Sequence, residues 1–140
     1  MNIRERISYI IKKYKTSDPF ELATALGIQI IEEDLGSIKG YYNNQFRIKQ
    51  IHINSALDEH MKVFTCAHEL GHALLHPNAN TPFLRTNTLL SVDALEIEAN
   101  KFAVNLLISD YALEENKNLT IDQLSRLFGH SVELMELRLR

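Results

Sequence analysis

Residues 67–72 are Ala67-His68-Glu69-Leu70-Gly71-His72 and contain the pattern His-Glu-x-x-His. It falls inside residues 57–76, where apolar residues recur every three or four positions up to Pro77, so we predict one long helix. Four residues advance a helix by about 400°, which places His68 and His72 one turn apart on the same face. Two imidazoles in this position can bind one metal ion, and zinc readily accepts histidine nitrogen.

The residues between and beside the two histidines have separate expected roles. Glu69 is placed to take a proton from a water molecule as it attacks a carbonyl group. Gly71 lacks a side chain, so another element can approach the helix closely at that point. Cys66 lies about 200° around the helix from His68, and we do not expect it to be a ligand. The motif therefore predicts a metal site of the catalytic kind.

A third ligand is needed, and helix geometry argues against His76. That residue lies about 12 Å from His68 along the helix axis, so one ion cannot reach both side chains. A carboxylate is expected instead, as in zinc sites built from two histidines and a glutamate. The helix predicted at 91–109 offers three acidic residues, Asp93, Glu96 and Glu98. A helical wheel places Glu96 and Glu98 on different polar stripes, and periodicity does not decide which stripe faces the metal.

The composition is that of one ordinary globular domain. The chain has 140 residues, 45% hydrophobic and 24% charged, as folded single domains do. Its formal charge of −3 gives no overall attraction to nucleic acid or anionic lipid, so direct binding to nucleic acid or membrane is not expected. A single cysteine excludes an intramolecular disulfide and zinc sites made of several thiolates. No signal peptide or membrane span is recognisable, which predicts a cytoplasmic protein.

The remaining helix and strand signals predict an α+β fold. Strands are expected at 28–31, 40–43 and 46–54, with a tight turn at Asn43-Asn44 and a bulge between Ile48 and Ile51. Asp18-Pro19 begins a short helix that ends at Gly27. Further helices are expected at 3–15, 91–109, 111–116, 120–129 and from 131 to the C-terminus, and a long loop at 77–90.

Four blocks of sequence together resemble the ImmA/IrrE family of zinc metallopeptidases. They are the N-terminal helix pair, Gly-Tyr-Tyr followed by Ile51-His-Ile-Asn54, the motif at 67–72, and Glu98-Ala-Asn-x-Phe-Ala103. The resemblance implies a zincin-like α+β fold, in which a small three-stranded sheet, antiparallel or mixed, packs on the motif helix. It also implies one metallopeptidase domain over 1–140, with a catalytic core at 1–110 and a small helical C-terminal subregion at 111–140.

The same resemblance implies an endopeptidase that uses one zinc ion, held by His68, His72 and Glu98, with Glu69 as the general base. The implied substrate is a helix-turn-helix repressor of a phage or mobile element, which is cut to relieve repression. The chain departs from the wider gluzincin pattern at Phe102, where many members have an aspartate that supports a histidine. Two histidines and a carboxylate also suit iron or manganese.

Hydrolysis also needs a hydrogen-bond donor for the oxyanion that forms at the scissile carbonyl. The candidates, which the sequence does not rank, are Tyr41, Tyr42, His76 and Arg85. His76 is otherwise interpreted as a residue that supports the metal site or lines its cleft. An extended substrate is expected to pair with the edge of the 46–54 strand.

Two alternative functions stay open. The helix-turn-helix pattern at 120–139 could belong to a DNA-binding regulator, but the last helix carries only Arg138 and Arg140 as cations, beside Glu133 and Glu136. The apolar residues of that helix indicate packing or a protein partner: Leu134, Met135, Leu137 and Leu139. The other alternative is a zinc-containing regulator that binds a repressor or DNA without proteolysis.

Overall fold

A computed structural model describes the backbone of residues 1–78, 81 and 89–140, and the side chains of all of these except 89–93. The described residues form three strands, β1 (Gln29–Glu33), β2 (Gly40–Gln45) and β3 (Ile48–Asn54). They also form seven helices: α1 (Ile3–Tyr14), α2 (Pro19–Ala25), α3 (Glu59–Leu75), α4 (Leu89–Leu107), α5 (Asp110–Glu115), α6 (Ile121–Phe128) and α7 (Val132–Leu139). The α+β architecture is therefore confirmed.

Local side-chain signals set the helix ends. Asp18 caps α2 through the Phe20 amide, and Pro19 occupies the first helical position. Thr120 and Gln123 form a reciprocal capping box at the start of α6, and Gly129 ends that helix in the left-handed conformation. These ends agree with the sequence prediction. At α4 the prediction was two residues late, because the helix begins at Leu89.

The three strands form a mixed sheet in the order β1-β3-β2. β3 lies in the centre, parallel to β1 and antiparallel to β2. Both edges of β3 are therefore occupied, and the prediction that a substrate pairs with the edge of the 46–54 strand is wrong. The outer edges of the sheet are those of β1 and β2.

The hairpin between β2 and β3 turns later than predicted. Its two turn residues are Phe46 and Arg47, with φ of 55° and 65°, as a two-residue hairpin loop requires. The register runs one-to-one from Gln45↔Ile48 to Gly40↔Ile53. The turn predicted at 43–44 and the bulge predicted in β3 are therefore both wrong. The turn was predicted at the two asparagines because asparagine favours left-handed turns. In the structure both asparagines lie within the paired part of β2.

The core lies between the sheet and the motif helix. One face of the sheet, with Tyr42, Ile51 and Ile53 fully buried, belongs to the main hydrophobic cluster together with Leu70 of α3 and Phe102 of α4. A second cluster joins the C-terminal helices through Ile108, Leu124 and Met135. Among the described residues, no helix combines the length and the apolar character needed to cross a bilayer.

Candidate metal centre

His68 and His72 project from the same face of α3. Their rings lie 4.9 Å apart between centroids and are nearly perpendicular, at 86°. Both side chains are buried, His72 almost completely. The structure therefore brings together the two histidines of the motif as their spacing predicts.

The carboxylate of Glu96 closes the group from α4. Its Oε1 lies 2.7 Å from His72 Nε2, and its Oε2 lies 3.1 Å from His68 Nε2. The three side chains each offer a ligand atom, and these atoms all lie within 4.8 Å of one another. Two imidazole nitrogens and one carboxylate thus converge on one point.

Glu98, the expected third ligand, lies elsewhere. Residues 96 and 98 differ by about 200° around a helix, so only one of the two polar stripes of α4 can face the histidines. The Glu98 side chain is 51% exposed, and its Oε2 lies 3.7 Å from His76 Nε2. In the structure the carboxylate at the histidine pair is therefore that of Glu96, and not that of Glu98, which the family resemblance implies.

Gly71 explains how α4 comes close enough to deliver this carboxylate. A Cβ atom at position 71 would lie 3.0 Å from Phe102 Cβ and 3.2 Å from both the Cα and the carbonyl oxygen of Ala99. Such contacts are tighter than nearly all Cβ contacts in proteins, so any larger residue would require α3 and α4 to shift apart by a few tenths of an ångström. Ala99 follows Glu96 by three residues, and the close crossing thus holds that carboxylate over the histidines.

The donor set fits a metal ion of the zinc type. Ligands about 2.0–2.1 Å from a tetrahedral zinc lie roughly 3.3 Å apart, and the observed separations of 2.7 and 3.1 Å need only a small expansion. His72 Nδ1 is buried and has no hydrogen-bond partner among the described residues, and Phe102, which packs under Gly71, supplies no carboxylate there. Packing, and not a hydrogen bond to Nδ1, therefore orients the His72 ring with its Nε2 toward Glu96.

Glu69 stands beside the ligand group. Its side chain is 2% exposed, and its Oε2 lies 3.9 Å from His68 Nε2. It lines a cavity of about 410 Å³ together with His68, Glu96, Lys39 and Asn100. A buried carboxylate that faces a cavity beside a metal site has the position that a general base requires.

Two of these cavity residues were missed by the sequence analysis. Asn100 follows Glu96 by four residues and so shares its stripe on α4, a signal that was visible but left without a role. Lys39 precedes β2 in a loop, and no periodicity marks such a position. Both side chains now line the space beside the histidines.

The structure places neither tyrosine candidate for the oxyanion in the wall of this cavity. The Tyr42 hydroxyl donates to the Pro77 carbonyl at 2.7 Å. Tyr41 lies on the opposite sheet face, stacked on His52 at 4.3 Å, and burial together with the charge of Glu33 raises its pKa.

The other two oxyanion candidates are His76, which lies beside a histidine of the motif, and Arg85. His76 contacts the ring of His72 at 5.7 Å, and burial lowers its pKa although Glu98 opposes the shift. Arg85 lies outside the described residues.

The other titratable residues near the motif do not join the ligand group. Burial raises the pKa of the Cys66 thiol, which keeps it protonated and unsuited to bind zinc. The ring of His60 lies 4.9 Å from that of His130, and His60 Nε2 donates to the Gly129 carbonyl at 2.8 Å. Neither belongs to the group of residues that could hold a metal in the described part of the chain.

Comparisons with known proteins agree with this architecture. Residues 23–140 match the peptidase family described as the IrrE N-terminal-like domain. Uncharacterized immunity region protein 2 of Bacillus phage phi105 is 46% identical over 139 residues, which cover 97% of this chain and 88% of that protein. Metallopeptidase ImmA of Bacillus subtilis (strain 168) is 34% identical over 115 residues, 81% of this chain and 67% of that protein.

A solved structure shares the fold at lower sequence identity. It is a transcriptional regulator of Mycobacterium tuberculosis, with a TM-score of 0.62 and 18% identity. The alignment covers 98% of this chain but 46% of the regulator, so the chain spans less than half of that protein's length. On the family match and the two relatives above, the chain belongs to the ImmA/IrrE family of metallopeptidases.

Proposed function

We propose that the protein is a zinc-dependent endopeptidase that hydrolyses a peptide bond in a regulatory protein, a helix-turn-helix repressor of a phage or mobile element. The observation that carries the proposal is the convergence of two histidine nitrogens and the Glu96 carboxylate beside buried Glu69, at the wall of a cavity. The relative named for a phage immunity region and the relative named Metallopeptidase ImmA support the regulatory setting.

Each site residue has a defined task in this reaction. His68, His72 and Glu96 would hold the zinc ion, which when bound polarises the scissile carbonyl and lowers the pKa of a water molecule toward about 7. Glu69 accepts a proton from the attacking water at a carboxylate oxygen and returns it to the amide nitrogen as the carbon–nitrogen bond breaks. Burial of Glu69 restricts bulk water, so the proton passes between these partners.

The central test is an incubation of the zinc-loaded protein with a purified helix-turn-helix repressor from a phage immunity region. We expect cleavage that stops when a chelator removes the metal. Glu69→Gln should slow cleavage by at least about 100-fold, in the range typical of a lost general base, while it keeps its zinc. Glu59→Gln is the matched control, since this residue is exposed in the first turn of the same helix, and it should cleave at the original rate.

Two outcomes would contradict the proposal. Cleavage that survives Glu69→Gln would exclude the proposed base. Intact repressor after incubation with the fully zinc-loaded protein would favour the alternative of a zinc-containing regulator that binds its partner without proteolysis.

Direct DNA binding by α6 and α7 has less support. The Arg138 side chain is buried, and its guanidinium donates to the Ile108 carbonyl at 2.8 Å and to Asp110 at 2.7 Å. The Arg138 side chain therefore anchors α7 against the preceding segment and does not face solvent. Of Arg138 and Arg140, only Arg140 is exposed. One exposed cation at this end of the chain provides little attraction to phosphate groups.

A further inference from the structure

A second groove adjoins the cavity of the metal centre. This groove, of about 560 Å³, lies between α4 and α7, and its walls include Phe64 and Asn100. The same two residues line the cavity that contains His68 and Glu69. The two depressions therefore adjoin at these shared side chains.

The floor of the groove is apolar. Ile97 of α4 is 53% exposed there, and Leu134 and Leu137 of α7 are only partly buried. α7 already packs into the protein through Met135 and Arg138, so its two groove leucines form a second stripe that the fold does not fully cover. Exposed apolar side chains that cluster in a concave surface are typical of binding sites.

The walls of the groove are mainly acidic. Glu133 and Glu136 are both exposed on α7, and Arg140 is the one cation among the described lining residues. The adjoining cavity of the metal centre likewise has two glutamates, Glu69 and Glu96, and one lysine, Lys39, among its lining residues. A ligand of this groove should therefore present apolar side chains together with positive charge.

We propose that the groove binds a segment of the protein substrate outside the scissile bond, in which apolar side chains are flanked by lysine or arginine. The shared side chains Phe64 and Asn100 support this occupant, because a polypeptide that leaves the metal cavity past them reaches the groove. A second copy of the chain fits less well, since it would bring acidic walls of equal charge together. The identity of the occupant as a substrate rests on the proposed function.

The first test measures binding with the metal removed, so that it does not depend on catalysis. The probe is a fluorescent peptide with leucine at positions i, i+3, i+4 and i+7 and lysine elsewhere, and a second peptide carries glutamate in place of lysine. We expect the protein in excess chelator to bind the lysine peptide at least about tenfold more tightly by fluorescence anisotropy. Equal affinity for the two peptides would overturn the proposal.

Surface variants locate the binding. Ile97→Ser should weaken binding of the lysine peptide by about fivefold or more, because it removes apolar contact area. Leu127→Ser is the matched control, since Leu127 has the same 53% exposure on α6 outside the groove, and it should change nothing. An Ile97→Ser variant that binds like Leu127→Ser would overturn the proposal.

Reversing the charge of the exposed groove glutamates tests the acidic walls without changing any buried side chain. The double change Glu133→Lys and Glu136→Lys should abolish the preference for the lysine peptide, whereas Glu114→Lys and Glu115→Lys on exposed positions of α5 should preserve it. Loss of preference in both double variants, or in neither, would contradict a specific acidic groove. Self-association in sedimentation that Ile97→Ser abolishes would instead assign the groove to a second copy.

Cleavage kinetics separate this proposal from the proposed function. If both hold, the groove double variant raises KM for a repressor and leaves kcat unchanged. If the groove binds the lysine peptide but no repressor is cut, the groove proposal survives and the endopeptidase proposal fails. If repressor cleavage shows the same KM in all variants, the endopeptidase proposal survives and the groove proposal fails.

Discussion

Glu96 Oε1 lies 2.7 Å from His72 Nε2, so α4 brings a carboxylate to the second histidine of the motif helix. This contact links two consecutive helices and completes the group of side chains that could hold a metal ion. It also places two neighbouring glutamates in different surroundings, because the Glu98 carboxylate lies beside His76.

Substitution of these two glutamates should therefore have unequal effects. Glu96→Ala should weaken zinc binding by roughly 100-fold or more, since even loss of a residue that only supports a ligand costs 10–100-fold. Glu98→Ala should leave zinc affinity within about threefold of the parent protein. Competition with a chromophoric chelator measures both constants, and the reverse order of effects would show that Glu98 is the ligand.

Gly71→Ala tests the close crossing of α3 and α4. In an unhindered helix this change stabilises by about 1 kcal/mol, whereas overpacking costs typically about 1–3 kcal/mol. With Phe102 Cβ only 3.0 Å from the new methyl group, we expect a net loss of stability and weaker zinc binding. Urea denaturation of the metal-free protein gives the sign, and a gain in stability would contradict the proposed packing.

At the metal site, part of the ligand group could be predicted from the sequence and part could not. The spacing of His68 and His72 sufficed to predict a shared ion, because a helix has a fixed period. The choice between Glu96 and Glu98 could not be made that way, since α4 has apolar residues on both sides of each polar stripe. The contact of Gly71 with Ala99 fixes the rotation of α4, and such a contact between distant segments leaves no periodic signal.

Thr81 is predicted to stabilise the outer edge of β2. Its buried hydroxyl accepts from the Tyr42 amide at 2.9 Å and donates to the Tyr42 carbonyl at 3.1 Å. Thr81→Val keeps the shape but leaves both buried groups without this partner, at a cost of about 1–3 kcal/mol. Thr81→Ser retains the hydroxyl and serves as the control. Equal unfolding free energies for the two variants would exclude this role.

His130 should make stability depend on pH. Burial, and secondarily the charge of His60, lowers the pKa of His130 in the folded protein. The unfolded chain therefore takes up a proton first, near pH 6.5, and stability is lost as the pH falls from there through the lower folded-state pKa. The stabilising contribution is fully present above pH 6.5.

The corresponding measurement compares urea denaturation at pH 7.5 and 5.5 in chelator. The parent protein should lose stability between these values, and His130→Gln should lose measurably less. The chosen variant leaves His76, whose pKa is also lowered by burial, in place, so part of the slope remains. An identical slope in parent and variant would show that His130 does not contribute.

The hairpin illustrates the other limit of the sequence analysis. Phe46 and Arg47 adopt left-handed backbone conformations that these residue types seldom favour, so no local signal marks the turn. The pairing of β2 with β3 imposes it, because Gln45 and Ile48 close the ladder. In contrast, the cap at Asp18 and the capping box at Thr120 are local interactions, and the sequence alone located them.

The identity of the side chains that hold the metal is the central question about this protein. Anomalous diffraction at the zinc absorption edge, from crystals of the zinc-loaded protein, gives that answer without an assay of activity. We predict one strong peak within ligand distance of His68 Nε2, His72 Nε2 and the Glu96 carboxylate, with Glu69 beside it but not bound. A peak that Glu98 coordinates, or no peak at the two histidines, would contradict a zinc site formed by His68, His72 and Glu96.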